Sequence, residues 1–355
     1  EMSASLVGSE MCIRDSSNRL TGSFDYFVRK TVDMVGPAPQ LPLVLGIAPA
    51  IVNNADMKSY GFEIELSWRD RIGEVDYGVK FNLADAQQKV VKYPNTTNAF
   101  NDWYAGKMSG EIWGYTSLGI AKTDEEMKEH LASLPNGGQN QLGNKWGAGD
   151  IMYADINGDG KVDGGKGTLA DPGDQRIIGN STPRYNFGLV LDASYKGFDV
   201  SIFFQGVGKR DYAPIVGTNG AVFWGAVNNI WQSMAMEEHF DYFRPEGHPM
   251  GANLNGYYPR PDFTSNKNHQ VQTRYLQDAS YIRLKNLQIG YTLPKQWINK
   301  LHINRCRVYV SGDNLWTGTS LASMFDPETL AAGDWGSGKT YPLSKVISFG
   351  LNVNF

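Results

Sequence analysis

Long runs in which large apolar residues alternate strictly with polar ones constrain this chain most. Val75, Tyr77, Val79, Phe81 and Leu83 interleave with Asp76, Gly78, Lys80 and Asn82. Just before them, Tyr60, Phe62, Ile64, Leu66 and Trp68 alternate with Gly61, Glu63, Glu65, Ser67 and Arg69. The sequence ends the same way, with Ile347, Phe349, Leu351, Val353 and Phe355 against Ser348, Gly350, Asn352 and Asn354. Successive side chains of a strand point to opposite faces, so each run predicts a strand with one apolar and one polar face. Weaker runs over 20–30, 184–196, 197–209, 280–293 and 305–316 bring the expected count to about eight. Abundant aromatics (12%) and 40 glycines suit an all-β chain.

The expected connections alternate in length. Long ones cover about 31–56, 91–182, 210–279 and 317–342, and short ones about 70–74, Lys196-Gly197 and 294–304. Long loops on one side and tight turns on the other are the pattern of a transmembrane β-barrel. Strands of about 10–14 residues exceed the usual globular length of about 5–6. They suit a tilted membrane strand of about 9–11 with its rims. A soluble sandwich also alternates, but its polar faces need not mix Glu, Lys, Arg and Asn opposite a uniformly large apolar face. The expectation is therefore an antiparallel transmembrane β-barrel in outer-membrane lipid, with long extracellular loops carrying short helices. One helix opens at Thr123, with capping-box spacing to Glu126, and runs to about Leu134; another covers about 224–240. No stretch is long and apolar enough for a transmembrane helix. With 33 Lys+Arg against 37 Asp+Glu the chain lacks the basic excess of a nucleic-acid binder. Two cysteines, Cys12 and Cys306, exclude a disulfide scaffold.

Trp68, Tyr77 and Tyr291 suit the aromatic girdle at a lipid interface. Trp103, Tyr104, Trp113, Tyr115, Trp224 and Trp231 lie in or near outer loops. They could stack on sugar rings, or pack the loops against one another and a partner lid. Packing is the commoner outcome, because aromatics gain from burial anywhere. Residues 155–163 read Asp-Ile-Asn-Gly-Asp-Gly-Lys-Val-Asp, with oxygen ligands at calcium-loop positions and a glycine at the sharp turn. Asp155, Asn157, Asp159 and Asp163 would supply side-chain oxygens and Lys161 its carbonyl to a structural Ca2+. The twelfth position is Lys166, so stretch 164–173 must loop out for Asp171 or, better, Asp174 to close the shell. The alternative is a metal-free Asx-turn loop. His130, His239, His248, His269 and His302 show no metal spacing, and no nucleophile or phosphate-loop motif occurs, so no enzyme is expected.

Several longer motifs occur in order. They are Gly149-Asp150-Ile151 before the acidic loop, Asp174-Gln175-Arg176-Ile177-Ile178-Gly179-Asn180, Pro183-Arg184-Tyr185-Asn186-Phe187-Gly188 and Tyr195-Lys196-Gly197-Phe198-Asp199. Phe204-Gln205-Gly206, Tyr258-Pro259-Arg260, the run from Tyr275 to Asn286, Gly290-Tyr291-Thr292-Leu293-Pro294 and Ser311-Gly312-Asp313-Asn314-Leu315 follow. Over about 20–355 the chain resembles the C-terminal part of the SusC/RagA family of TonB-linked outer-membrane transporters of Bacteroidota. The resemblance implies roughly the last eight strands of a plugged barrel of about 22. It further implies import of oligosaccharide or peptide, a SusD-like lipoprotein lid, and a TonB complex acting on a plug upstream. Assembly machinery would then read the terminal aromatic, Phe355. On this reading residues 17–355 are C-terminal barrel without plug. Residues 1–16 lack the features of a signal peptide, resemble translated adapter sequence and are expected to be a non-native leader. The competing expectation is a secreted or surface-attached β-sandwich that binds glycans and carries a calcium loop.

Overall fold

In the computed structural model the alternating runs pair into one antiparallel sheet. Its strands are β1 (Ser3–Arg14), β2 (Leu20–Val35), β3 (Asn53–Ile72), β4 (Val75–Lys92) and β5 (Arg184–Tyr195). They continue with β6 (Phe198–Lys209), β7 (Tyr281–Thr292), β8 (Arg305–Thr319) and β9 (Val346–Asn354). Every strand neighbours its successor, a nine-stranded up-and-down order. The structure describes residues 3–14, 19–38, 46, 50–214, 221–225, 236–262, 265–299, 302–330 and 340–355.

Register aligns the apolar residues into a continuous face. Val79, Phe81 and Leu83 of β4 lie opposite Trp68, Leu66 and Ile64 of β3, and opposite Leu191, Leu189 and Phe187 of β5. The row continues through Val200, Ile202 and Phe204 of β6 to Ile289, Leu287 and Leu284 of β7. Val310 and Val308 of β8 then meet Phe349 and Leu351 of β9. A slip of one residue would turn any of these sets to the other face, so the pattern fixes the pairing. Among the described residues no second sheet packs on either face. The sandwich alternative fails on that point, because a sandwich buries its apolar face against another sheet.

β2, β3 and β4 have 16, 20 and 18 residues, longer than the expected 10–14. The extra length lies toward the long loops, where Lys58 pairs with Lys89 and Ser59 with Gln88. Backbone pairing continues there while the apolar alternation stops, so periodicity could not mark the true ends.

The suspected leader also pairs, from Ser3 opposite Val32 to Arg14 opposite Thr21. Backbone N–H and C=O groups alone make such an edge pairing, so it does not bear on whether these residues are native.

Connections 73–74, 196–197 and 293–304 lie at one end of the sheet, and 36–52, 93–183, 210–280 and 320–345 at the other. Lys196 and Gly197 both have positive φ (46° and 89°), as a two-residue hairpin with the strands' own twist requires. Trp68, Tyr77, Phe198 and Tyr291 gather at the short-turn end. Trp68 Nε1 donates to the Tyr77 hydroxyl at 3.2 Å, and the Phe198 and Tyr291 rings are 4.4 Å apart.

On the polar face, Arg307 of β8 reaches across β7 to Asp199 of β6 (Nε to Oδ1 2.9 Å) and also donates to Gln288 at 3.0 Å. Gly290 lies beneath, and a Cβ there would collide with the guanidinium. Gly290→Val should therefore push the guanidinium off Asp199 and cost up to about 1 kcal/mol, the usual worth of a partly exposed ion pair. Thermal unfolding of the protein in detergent checks this. Adding Asp199→Asn should then lower the midpoint little further, because two changes to one interaction do not add.

Candidate functional site

The buried core lies among the long connections, not along the sheet. Tyr115, Leu134, Ile151, Tyr153 and Val162 from loop 93–183 join Phe223, Trp224, Tyr258 and Tyr275 from loop 210–280. Leu321, Phe325 and Leu330 from loop 320–345 complete the same core. Helix α1 (Asp124–Ala132) buries its own Met127. Its Thr123 cap accepts from Glu126 N at 3.1 Å as expected, but the Glu126 carboxylate turns to Lys122 N (2.6 Å) instead of closing the box on Thr123. The second helix, expected over about 224–240, differs: the α-helical turn Ala221–Trp224 ends where the expected patch begins, and Glu237–Phe240 forms a 3-10 turn at its far end. Residues 226–235, with Trp231, lie outside the described residues.

Asp150, fully buried, ties two loops together. Its Oδ1 accepts from Arg260 Nε (2.8 Å) and Asn268 Nδ2 (2.9 Å). Its Oδ2 accepts from Gly147 N (2.8 Å), the other arm of Arg260 (2.7 Å) and Lys267 Nζ (3.0 Å). Lys267 is itself buried, under the Trp146 ring. Tyr153 adds a second tie by donating its hydroxyl to Lys267 O at 2.6 Å. Loop 320–345 is held to the sheet by Arg283–Asp326 (2.7 Å) and Lys285–Glu328 (3.0 Å), and Arg210 donates to Leu330 O at 2.8 Å.

The loop aromatics separate accordingly. Trp224 and Tyr115 are core residues, 0% and 4% exposed. Trp113 stacks on Phe100 at 4.6 Å, and Trp103 meets Tyr93 edge-on at 6.0 Å beside Ala55 and Val90. Tyr104 donates its hydroxyl to Glu111, and Lys107 lies over its ring. His239 and His269, placed in loops by sequence, are buried.

In the acidic loop, Gly158 and Gly160 adopt positive φ (76° and 80°), which lets the chain curl over Asp155. The Asp155 carboxylate accepts from Gly158 N (2.7 Å) and Gly160 N (2.8 Å). Asn157 Oδ1 accepts from Asp159 N at 3.0 Å. Asp174, fully buried, returns across the 164–173 excursion, accepting from Ile156 N and from Asp163 N, each at 2.8 Å. Asp171 stays in the excursion, its backbone N–H on Thr168 Oγ1. Lys161 Nζ is bonded to Asp163 Oδ2 and lies 3.7 Å from Asp159 Oδ2. That ammonium holds the Asp163 carboxyl below the usual carboxylate range. Among the described residues no three His, Cys, Asp or Glu stand together in a metal-holding arrangement. As folded, backbone N–H donors and the Lys161 ammonium engage the side-chain oxygens of this loop.

In β9, Ile347, Phe349, Leu351 and Val353 share one face, opposite Gly312, Val310, Val308 and Cys306. Ser348, Gly350 and Asn352 share the other, and Phe355 follows the last paired residue.

No family model matches the chain. It is 28% identical over 379 residues to TonB-dependent receptor P3 of Formosa agariphila, covering 98% of this chain and 33% of that protein. Receptor P39 of the same organism is 24% identical over 386 residues. The RagAB peptide transporter structure superposes over the whole chain with a TM-score of 0.71, at 22% identity and over 35% of its own length. The fold is that of a SusC/RagA-like TonB-dependent receptor barrel. The RagAB peptide importer in its "closed-closed" state superposes with a TM-score of 0.69. Such receptors are outer-membrane proteins, and the outer membrane is the location of this SusC/RagA-like chain. The chain spans about a third of the length of the curated relatives it matches. Those relatives are receptors and transporters.

Sequence reading of this SusC/RagA-like barrel missed the Asp150–Lys267–Asn268 centre. A lone Asp beside Gly149 and a polar run at 266–270 carry no periodic signal.

Proposed function

We propose that the chain supplies part of the wall and outer face of a TonB-dependent nutrient importer, a non-enzymatic outer-membrane transporter. It would take up oligosaccharide or peptide with a SusD-like lipoprotein over the loops, driven by TonB through a plug in the rest of the protein. The observation that carries this reading is the common core of three long loops at one end of an antiparallel wall. A barrel that only spanned the membrane would need no such core. Peptide is the favoured cargo, because the structural neighbour is named as a peptide transporter and the described loop aromatics are engaged in packing.

Cysteines at exposed Leu118 and Met250 in the full-length receptor provide the test. On whole cells without the lipoprotein, an impermeant maleimide should label both, and the lipoprotein should protect them. Labelling only after the outer membrane is opened would reverse the topology. Uptake of labelled peptides and oligosaccharides by the same cells separates the two cargo classes.

A structural calcium ion in the 155–174 loop is the second part of the proposal. Its support is the spacing of Asp155, Asn157, Asp159 and Asp163 and the return of Asp174. The ion would have to displace Lys161. Titration calorimetry should therefore show calcium uptake that strengthens in Lys161→Ala and disappears in Asp155→Ala. No heat in the wild type and Lys161→Ala alike would leave an Asx-turn loop only.

A further inference from the structure

His269 sits where the outer loops interlock, and both of its ring nitrogens are buried without a hydrogen-bond partner. Its ring meets Trp224 edge-on, with centroids 4.5 Å apart, and Trp224 packs at 4.8 Å from Tyr275 and 6.2 Å from Tyr258. Trp224 Nε1 and Gln272 Oε1 are also buried without partners. A neutral imidazole tolerates this apolar setting, whereas an imidazolium would have two N–H donors and no acceptor, at high cost.

We propose that His269 makes the core uniting the outer loops acid-sensitive, so that protonation favours a locally opened state of the extracellular face. The charged groups nearby do not offset this. Asp262 is the carboxylate whose field reaches the ring, and it is shared with Lys267 at 3.8 Å. Asp150 is committed to Lys267, Arg260 and Asn268. On the far side of Trp224 lie the phenols of Tyr258 and Tyr275, which burial holds neutral. His239 is the other imidazole of this core. It takes the Met236 N–H on Nδ1 (3.0 Å) and bonds to Phe223 O through Nε2 (3.0 Å).

Burial pushes His269 down to about 4 from an ordinary 6.5. The closed form therefore binds fewer protons than the open one across that interval. Its stability is full above about 6.5 and falls as pH drops toward 4. If His269 acts alone, opening rises roughly 70-fold between pH 7.5 and 4.5.

Hydrogen–deuterium exchange of the full-length receptor in detergent should show this rise at 221–225, 257–258 and 269–275, corrected for intrinsic exchange rates. His269→Phe keeps an aromatic ring and removes the proton site, so most of the acid increment should vanish. An equal increment in the variant overturns the proposal. Should His269→Phe misfold, C2-hydrogen exchange of His269 in the unmutated receptor reads its own titration. A midpoint below about 5.5 supports the inference, and one at 6 or above defeats it. The loop core is the object of both measurements, so failure here leaves the importer reading untouched.

Discussion

Asp150→Ala should destabilise the outer loop unit by about 3–5 kcal/mol, as loss of one member of a buried charge pair does. The carboxylate meets four donor groups besides the chain's own turn: both arms of Arg260, Lys267 and Asn268. Removing it leaves the Lys267 ammonium 1% exposed, with Asp262 at 3.8 Å as its remaining carboxylate. Asn144 O and Lys145 O still accept from it but carry no full charge. Limited proteolysis of the full-length receptor should then cut within 93–183 and 210–280, while the barrel keeps its resistance to SDS at room temperature. Asp150→Asn should cost less, because one oxygen and the shape survive. Loops that stay protease-resistant in Asp150→Ala would mean that the aromatic core alone holds them.

Phe349→Lys should cost roughly 2–4 kcal/mol, the penalty for a cation near the bilayer midplane on a barrel's lipid face. Phe349 lies opposite Val310 in a continuous apolar row and is 85% exposed, the position a barrel's lipid face requires. Ser348→Lys, on the other face and opposite Ser311, is the matched control and should cost little. Asn352 is a poorer control, because it pairs with Arg307 and a lysine there would add like-charge repulsion. Denaturant unfolding of the full-length receptor in lipid vesicles gives both numbers. Equal losses on the two faces would contradict the membrane reading.

The sequence by itself determined the wall. Strict alternation in β3, β4 and β9 dictated strands, faces and register, because lipid on one side demands apolar residues at every second position. Loop parity ordered the strands up and down, and Lys196-Gly197 marked a tight turn that the structure keeps. Where lipid no longer constrained the side chains, in the outward extensions of β2, β3 and β4, the sequence lost the signal although pairing went on. Only the tertiary structure decided what the loops do. Asp150 lies 117 positions before Lys267 and 118 before Asn268, and their meeting rests on chain closure, which no local pattern encodes. The same reason governs Trp224 and Tyr115. An aromatic residue gains by burial against any apolar partner, and which partner it finds depends on where the loops converge.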